Sequence, residues 1–176
     1  KLARECGGAT ILAWMAVVTI LISSIIALKK DNLKARLAFS TIGQLSYIVL
    51  GIAILSPLST AGALYHLVAH AFMKITLFMC AGAIFVTTHK KDISEMVGLG
   101  RRMPITMSAF TLASLGIAGF PFFVGFVSKA NIIMGALKTG QLLFGATLIV
   151  SAILALTYLM PVVLIAFKKE PVNPEF

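Results

Sequence analysis

The chain has 176 residues, of which 59% are hydrophobic and 12% are charged, and its formal net charge is +9. An average soluble domain is about 45–50% apolar and about 25% charged, so this composition excludes a water-soluble globule. It also excludes a disordered chain, which needs low hydrophobicity and high charge. We therefore predict an integral membrane protein in a lipid bilayer. We interpret its basic residues as loop charges that orient the helices across the membrane. We expect no nucleic-acid partner.

Five stretches are long enough to cross a bilayer core of roughly 30 Å, which needs about 20 apolar residues as a helix. In chain order, they cover residues 9–28, 37–55, 62–87, 105–136 and 142–167. A basic loop at 29–36 and a polar loop at 89–103 separate some of them, and Pro161 predicts a kink in the last helix.

The fourth stretch is too long for one straight crossing and contains Gly119-Phe120-Pro121. Proline lacks a backbone donor and clashes with the preceding turn, so the helix should break between Gly119 and Pro121. We therefore predict an all-α polytopic transmembrane helix bundle with five crossings, one of them discontinuous. It forms a single domain over residues 1–176. Because the chain starts at Lys1 and stops abruptly at Phe176, we expect a fragment of a longer subunit.

The basic residues are unequally divided between the two ends of the predicted bundle. One end receives ten Lys and Arg residues and the other receives Lys1, Arg4 and Lys138. If residues 105–136 crossed the membrane twice, the two ends would carry nine and four Lys and Arg residues, a division that fits the positive-inside rule less well. The rule predicts that the loops 29–36 and 89–103 face the cytoplasm. The expected membrane is a prokaryotic plasma membrane.

Two lysines, Lys74 and Lys129, remain inside the predicted helices. A charged lysine at the bilayer centre costs about 2.5–3.5 kcal/mol even on the mildest scale, so such residues usually mark transport pathways. Lys74 lies roughly 18 Å from either end of its predicted helix, which exceeds the reach of a snorkelling side chain. For Lys129, whose depth depends on where the helix breaks, snorkelling stays open as an alternative.

His66, His70 and Lys74 recur at positions i, i+4 and i+8, on one face of the third predicted helix. Adjacent members rise about 6 Å, a separation that a bridging water can span. Because histidine titrates near neutrality, this row predicts a proton relay, with helix-packing histidines as the alternative. The His-x3-His spacing could also bind a metal, but the neighbouring lysine would repel a cation. We expect no metal and no cofactor.

The second predicted helix carries a polar stripe formed by Ser40, Gln44 and Tyr47. The stripe could bond to a neighbouring helix or line a water-filled half-channel, and the sequence leaves both open. All six acidic residues lie outside the predicted helices. Since buried lysines normally pair with carboxylates, we expect the partners of Lys74 and Lys129 in missing parts of the chain or in other subunits.

Three segments carry a family resemblance. Residues 33–47 read LKARLAFSTIGQLSY, residues 65–74 read YHLVAHAFMK and residues 119–129 read GFPFFVGFVSK. Together and in this order they resemble the antiporter-like subunits of NADH:quinone oxidoreductase (respiratory complex I) and of Mrp-type cation/proton antiporters. Ala35 and Ala130 depart from the family pattern, since the first replaces a usual arginine and the second a frequent aspartate.

The resemblance implies one half of an inverted-repeat antiporter-like fold. It implies a proton relay of His66 and His70 leading to Lys74, with Lys129 as the terminal lysine and Ser128 beside the pathway. The implied partners are protons and other membrane subunits of an Mrp antiporter or of a complex-I-like or hydrogenase complex, with exchange of Na⁺ or K⁺ left open. We expect no redox or hydrolytic chemistry in the chain itself. Two alternatives remain, a redox-active or quinone-binding membrane subunit and a purely structural membrane anchor.

Overall fold

The computed structural model describes residues 7–168, and these form a bundle of helices. The helices are α1 (Gly8–Lys29), α2 (Leu33–Ala53), α3 (Pro57–Thr88), α4 (Leu99–Arg102), α5 (Pro104–Ala118), α6 (Val124–Lys138) and α7 (Leu142–Phe167), with a 3₁₀ turn at Ile93–Glu95. Helices α1, α2, α3 and α7 are long and apolar enough to cross a membrane, and α5 is a shorter apolar helix. The prediction of an all-α transmembrane bundle is confirmed.

Two predicted helix boundaries were wrong. Helix α2 begins at Leu33 rather than at residue 37, because the Asn32 side chain caps it by accepting a 3.1 Å hydrogen bond from the Ala35 N–H. Helix α3 begins at Pro57 rather than at residue 62, because proline fits the first turn, where its missing N–H has no helical partner. The basic loop is therefore shorter than predicted, and α3 reaches 32 residues.

The predicted break between α5 and α6 is present. Gly119 has a left-handed backbone (φ +88°), which ends α5. The Phe120 N–H bonds the Leu115 carbonyl (3.0 Å) and the Gly119 N–H bonds the Gly116 carbonyl (3.2 Å), which is the Schellman pattern of a helix C-terminus. Helix α7, in contrast, continues through Pro161.

Helices α5 and α6 lie end to end along α3 and form one discontinuous crossing. The C-terminal half of α3 packs on α5 in a core cluster that includes Leu77 and Phe110, and its N-terminal half packs on α6 in a second cluster that includes Ala63 and Ile132. Met73, in the middle of α3, contacts the region of the break. The bundle therefore has five crossings.

The loops that precede α2 and follow α3 are joined at one end of the bundle. The Leu33 N–H bonds the Lys91 carbonyl and the Ile93 N–H bonds the Asp31 carbonyl, both at 3.0 Å. We call this end the basic end, because it carries Lys29, Lys30, Lys34, Lys90, Lys91, Arg101, Arg102 and Lys168. Lys138 lies at the opposite end, whereas Lys1, Arg4 and Lys169 fall outside the described residues.

Candidate functional site

Lys129 lies in the second turn of α6, next to the break, and its side chain is 4% exposed. Its Nζ donates hydrogen bonds to the carbonyl of Ile117 and, at 3.4 Å, to the carbonyl of Ala118. In a continuous helix the Ile117 carbonyl would accept from residue 121, but that residue is Pro121, which has no N–H. The lysine takes the place of the missing donor, and its positive charge lies at the negative end of the α5 dipole.

Buried rings connect Lys129 to the histidines of α3. Lys129 Nζ is 4.9 Å from the centroid of the Tyr47 ring. Tyr47 stacks on His66 at 5.6 Å, and His66 stacks on His70 at 6.0 Å, both between ring centroids. Lys74 follows His70 one turn along α3, and all five side chains are buried. We call Lys129, Tyr47, His66, His70 and Lys74 the buried file.

Hydrogen bonds indicate which nitrogen of His66 carries the proton. Ser128 Oγ donates to the Gly125 carbonyl (3.0 Å) and also lies 2.9 Å from His66 Nδ1. When the serine proton bonds the Gly125 carbonyl, Nδ1–H of His66 is the donor to Ser128, and Nε2 is an acceptor in the neutral ring. Within residues 7–168, Nε2 of His66 and Nε2 of His70 have no hydrogen-bond partner. Nε2 of each ring is therefore available to a bridging water, as donor or acceptor according to the tautomer of the ring.

Lys74 Nζ donates a 3.1 Å hydrogen bond to the Leu37 carbonyl on α2, and the side chain is 5% exposed. For both buried lysines the acceptors in the described chain are main-chain carbonyls rather than carboxylates. The described acids, Asp31, Asp92 and Glu95, lie at the basic end, and Glu5, Glu170 and Glu175 fall outside the described residues. The expected carboxylate partners stay a prediction about the rest of the assembly.

The polar stripe of α2 faces α7. Ser40 Oγ lies 2.9 Å from the Tyr158 hydroxyl, and the Tyr47 hydroxyl donates to the Leu148 carbonyl at 3.2 Å. Gln44 is buried, and its Oε1 has no partner among the described residues. Tyr158 is not among the residues predicted from the sequence, although an isolated tyrosine in the apolar segment 142–167 is a signal for it.

Arg36 was predicted in the solvated basic loop, and this prediction was wrong. It lies in the first turn of α2 and is 8% exposed. Its Nε donates to the Lys30 carbonyl (2.8 Å) and its Nη1 to the Tyr158 carbonyl (2.9 Å). Because Asn32 starts the helix early, the guanidinium turns inward and links α2 to α7 beside Leu37, the residue that accepts from Lys74.

The family profile described as "NADH:quinone oxidoreductase/Mrp antiporter, TM" matches residues 8–155. The chain belongs to this family. The match covers α1 to α6 and the first half of α7, including the whole buried file. The resemblance read from the three sequence segments is confirmed.

Members of the family in several complexes are similar to this chain. NADH-quinone oxidoreductase subunit N of Desulforudis audaxviator is 40% identical over 164 residues, which are 93% of this chain and 33% of that protein. A chain in the Mrp complex of Dietzia sp. DQ12-45-1b is 31% identical with a TM-score of 0.86, over 93% of this chain and 31% of that one. A chain of an archaeal membrane-bound sulfane sulfur reductase is 28% identical with a TM-score of 0.87, over 92% of this chain and 33% of that one. This chain thus spans about a third of the length of these relatives.

Proposed function

We propose that this chain carries protons through the membrane by way of His66, His70, Lys74 and Lys129, as one segment of a longer antiporter-like subunit. The buried file is the observation that supports the proposal. It places an ammonium group at each end and two imidazoles between them, and it draws on α2, α3 and α6. Relatives that share its fold are named as subunits of NADH-quinone oxidoreductase and of an Mrp complex.

In this mechanism each lysine holds or releases its proton as a neighbouring charge approaches or withdraws. A proton hop between His66 and His70, whose ring centroids lie 6.0 Å apart, needs a bridging water, and the unpartnered Nε2 atoms of the two rings can bind one. Moving one charge across 100 mV involves about 2.3 kcal/mol, so modest local charge movements are sufficient to drive the transfer.

The remaining polar groups line this route. Ser128 bonds Nδ1 of His66, and Gln44 Oε1 offers a further acceptor. Ser40 joins the Tyr158 hydroxyl to α2. The break at Gly119 and Pro121 provides the carbonyl groups that hold the Lys129 ammonium inside the bilayer.

The subunit works beside other membrane subunits of a multi-subunit complex, in the plasma membrane of a prokaryote, with Na⁺ or K⁺ as candidate exchanged ions. The excess of lysine and arginine at the basic end supports a cytoplasmic position for it. Because α3 runs from Pro57 at the opposite end to Thr88 at the basic end, His66 then lies in the outer half of the membrane, and Lys74 lies deeper.

The relay is tested by His66→Phe and His70→Phe in the complete complex, reconstituted in proteoliposomes. Phenylalanine keeps a stacking ring but cannot carry a proton, so proton translocation should fall at least about tenfold while the complex still assembles. Tyr65→Phe is the control, because Tyr65 is an exposed neighbour on the same helix and should transport normally. Unchanged translocation in both histidine variants would exclude them from the route.

A further inference from the structure

Two lysines at the basic end converge on one aromatic ring, away from the buried file. Lys34 Nζ lies 4.8 Å and Lys91 Nζ lies 5.3 Å from the centroid of the Phe85 ring. Lys34 comes from the first turn of α2, and Lys91 comes from the loop after α3. The fold thus brings two exposed positive charges from separate segments to the same place.

The nearby carboxylates bond neutral groups rather than Lys34 or Lys91. Asp31 accepts hydrogen bonds from the Ser94 hydroxyl (2.7 Å) and the Ser94 N–H (3.3 Å). Asp92 Oδ1 lies 3.5 Å from Asn32 Nδ2. Within residues 7–168, neither Lys34 nor Lys91 forms an ion pair. Because the two ammonium groups lie 4.8 Å and 5.3 Å from the centroid of the same ring, an anion bound beside Phe85 would be attracted by both.

A cleft of about 70 Å³ lies between these groups. Lys34, Phe85 and Lys91 line it, and a third basic residue, Lys90, lines it as well. No acidic side chain of the described residues belongs to its lining. The cleft therefore matches a small group of net negative charge, such as a phosphate.

The cleft lies where the apolar surface of the bundle ends. Val86, next to Phe85, is 74% exposed, and Met79, two turns earlier on α3, is 71% exposed. The helix ends at Thr88, two residues after Val86. An apolar outward face that stops beside a group of lysines corresponds to the headgroup level of a bilayer.

We propose that this cleft is a binding site for the phosphate of an anionic phospholipid headgroup. The ammonium groups of Lys34 and Lys91 contact the phosphate, and the outward face of α3 near Met79 and Val86 contacts the acyl chain. Basic pockets between transmembrane helices bind anionic headgroups in this way. The site is independent of the transport route, since none of its residues belongs to the buried file.

The test is a titration of the complete protein, held in zwitterionic micelles, with phosphatidylglycerol, with bound lipid counted by native mass spectrometry. Lys34→Gln and Lys91→Gln should each weaken the tightest phosphatidylglycerol site by about fivefold, and the double variant by about twentyfold. The controls are Lys29→Gln, at the same end but outside the cleft, and Lys138→Gln at the opposite end. Each should change the affinity by less than about twofold.

Two results would overturn the proposal. The first is equal loss of binding in the cleft variants and the control variants, because it would mean that general positive charge holds the lipid. The second is saturation of the same site by inorganic phosphate with the affinity of the lipid, because it would assign the cleft to a free anion. Preference for phosphatidylglycerol over both phosphatidylcholine and inorganic phosphate, lost in the double variant, supports the lipid site.

Discussion

The ammonium group of Lys129 bonds the main-chain carbonyl of Ile117, the carbonyl whose normal helical donor is absent because Pro121 has no N–H. A helix break inside a membrane is tolerated only where the freed backbone groups find partners. The break and the buried lysine therefore stabilise each other, and each explains why the other can exist at this depth.

This relationship predicts that two roles of Lys129 can be separated by mutation: its charge stabilises the helix break, and its proton takes part in transport. Lys129→Arg keeps a permanent positive charge and its donors, and a cavity of about 350 Å³ beside the lysine can take the larger side chain. We expect its unfolding free energy to stay within about 1 kcal/mol of the parent, while proton translocation falls at least about tenfold.

Lys129→Leu leaves the Ile117 and Ala118 carbonyls unpaired and should lower the unfolding free energy by about 1–3 kcal/mol. Both variants are compared by denaturant unfolding in detergent and by transport in proteoliposomes. Full transport by the arginine variant would show that Lys129 serves structure alone.

The contact between the two halves of the broken crossing is also testable. A Cβ added at Gly125 would lie 1.9 Å from the Gly116 carbonyl oxygen, so the first turn of α6 can approach α5 only with glycine there. Gly125→Ala should destabilise the protein by about 1–3 kcal/mol or more, because backbone must move.

Gly82→Ala, in α3, is the matched control, since a Cβ there meets nothing within 4 Å. It should be neutral or stabilise by up to about 1 kcal/mol, because alanine favours a helix. The measurement is the thermal unfolding temperature of the two variants, compared with that of the parent protein. Equal stability would mean that α5 and α6 do not approach as closely as described.

The proposed sidedness predicts a labelling pattern. Cysteine replaces Ser94 at the basic end or Lys138 at the opposite end, both exposed positions, in the complete protein in intact cells. A membrane-impermeant thiol reagent applied outside should label the Lys138→Cys variant and not the Ser94→Cys variant. The reverse pattern would invert the topology and move His66 to the inner half of the membrane. Ser59, also near the opposite end, is unsuitable for this labelling because it is fully buried.

The sequence was sufficient for the features that depend on local chemistry. Gly119 and Pro121 predict the break because each acts on its own stretch of backbone, and the 4-residue spacing of His66, His70 and Lys74 places them on one face of α3. The two helix starts that were predicted wrongly are set by local signals, the Asn32 cap and Pro57 in the first helical turn.

The partners of the buried lysines could not be read from the sequence. Every residue has a main-chain carbonyl, so the sequence does not mark the one that will accept from a buried lysine. The Leu37 carbonyl is identified as the acceptor of Lys74 only from the packing of α2 against α3. The stacking of Tyr47 on His66 likewise depends on the relative position of two helices. The sequence identified Lys74 and Lys129 as buried but not Arg36, and the packing shows which carbonyls hold all three.

The central claim, that protons pass through this chain, is tested most directly at Lys74. Lys74→Met in the complete complex should reduce proton translocation in proteoliposomes at least about tenfold, with the complex assembled in normal amounts. Lys138→Met, which removes an exposed lysine at the end of α6, should translocate normally. Normal translocation by the assembled Lys74→Met complex would contradict the account.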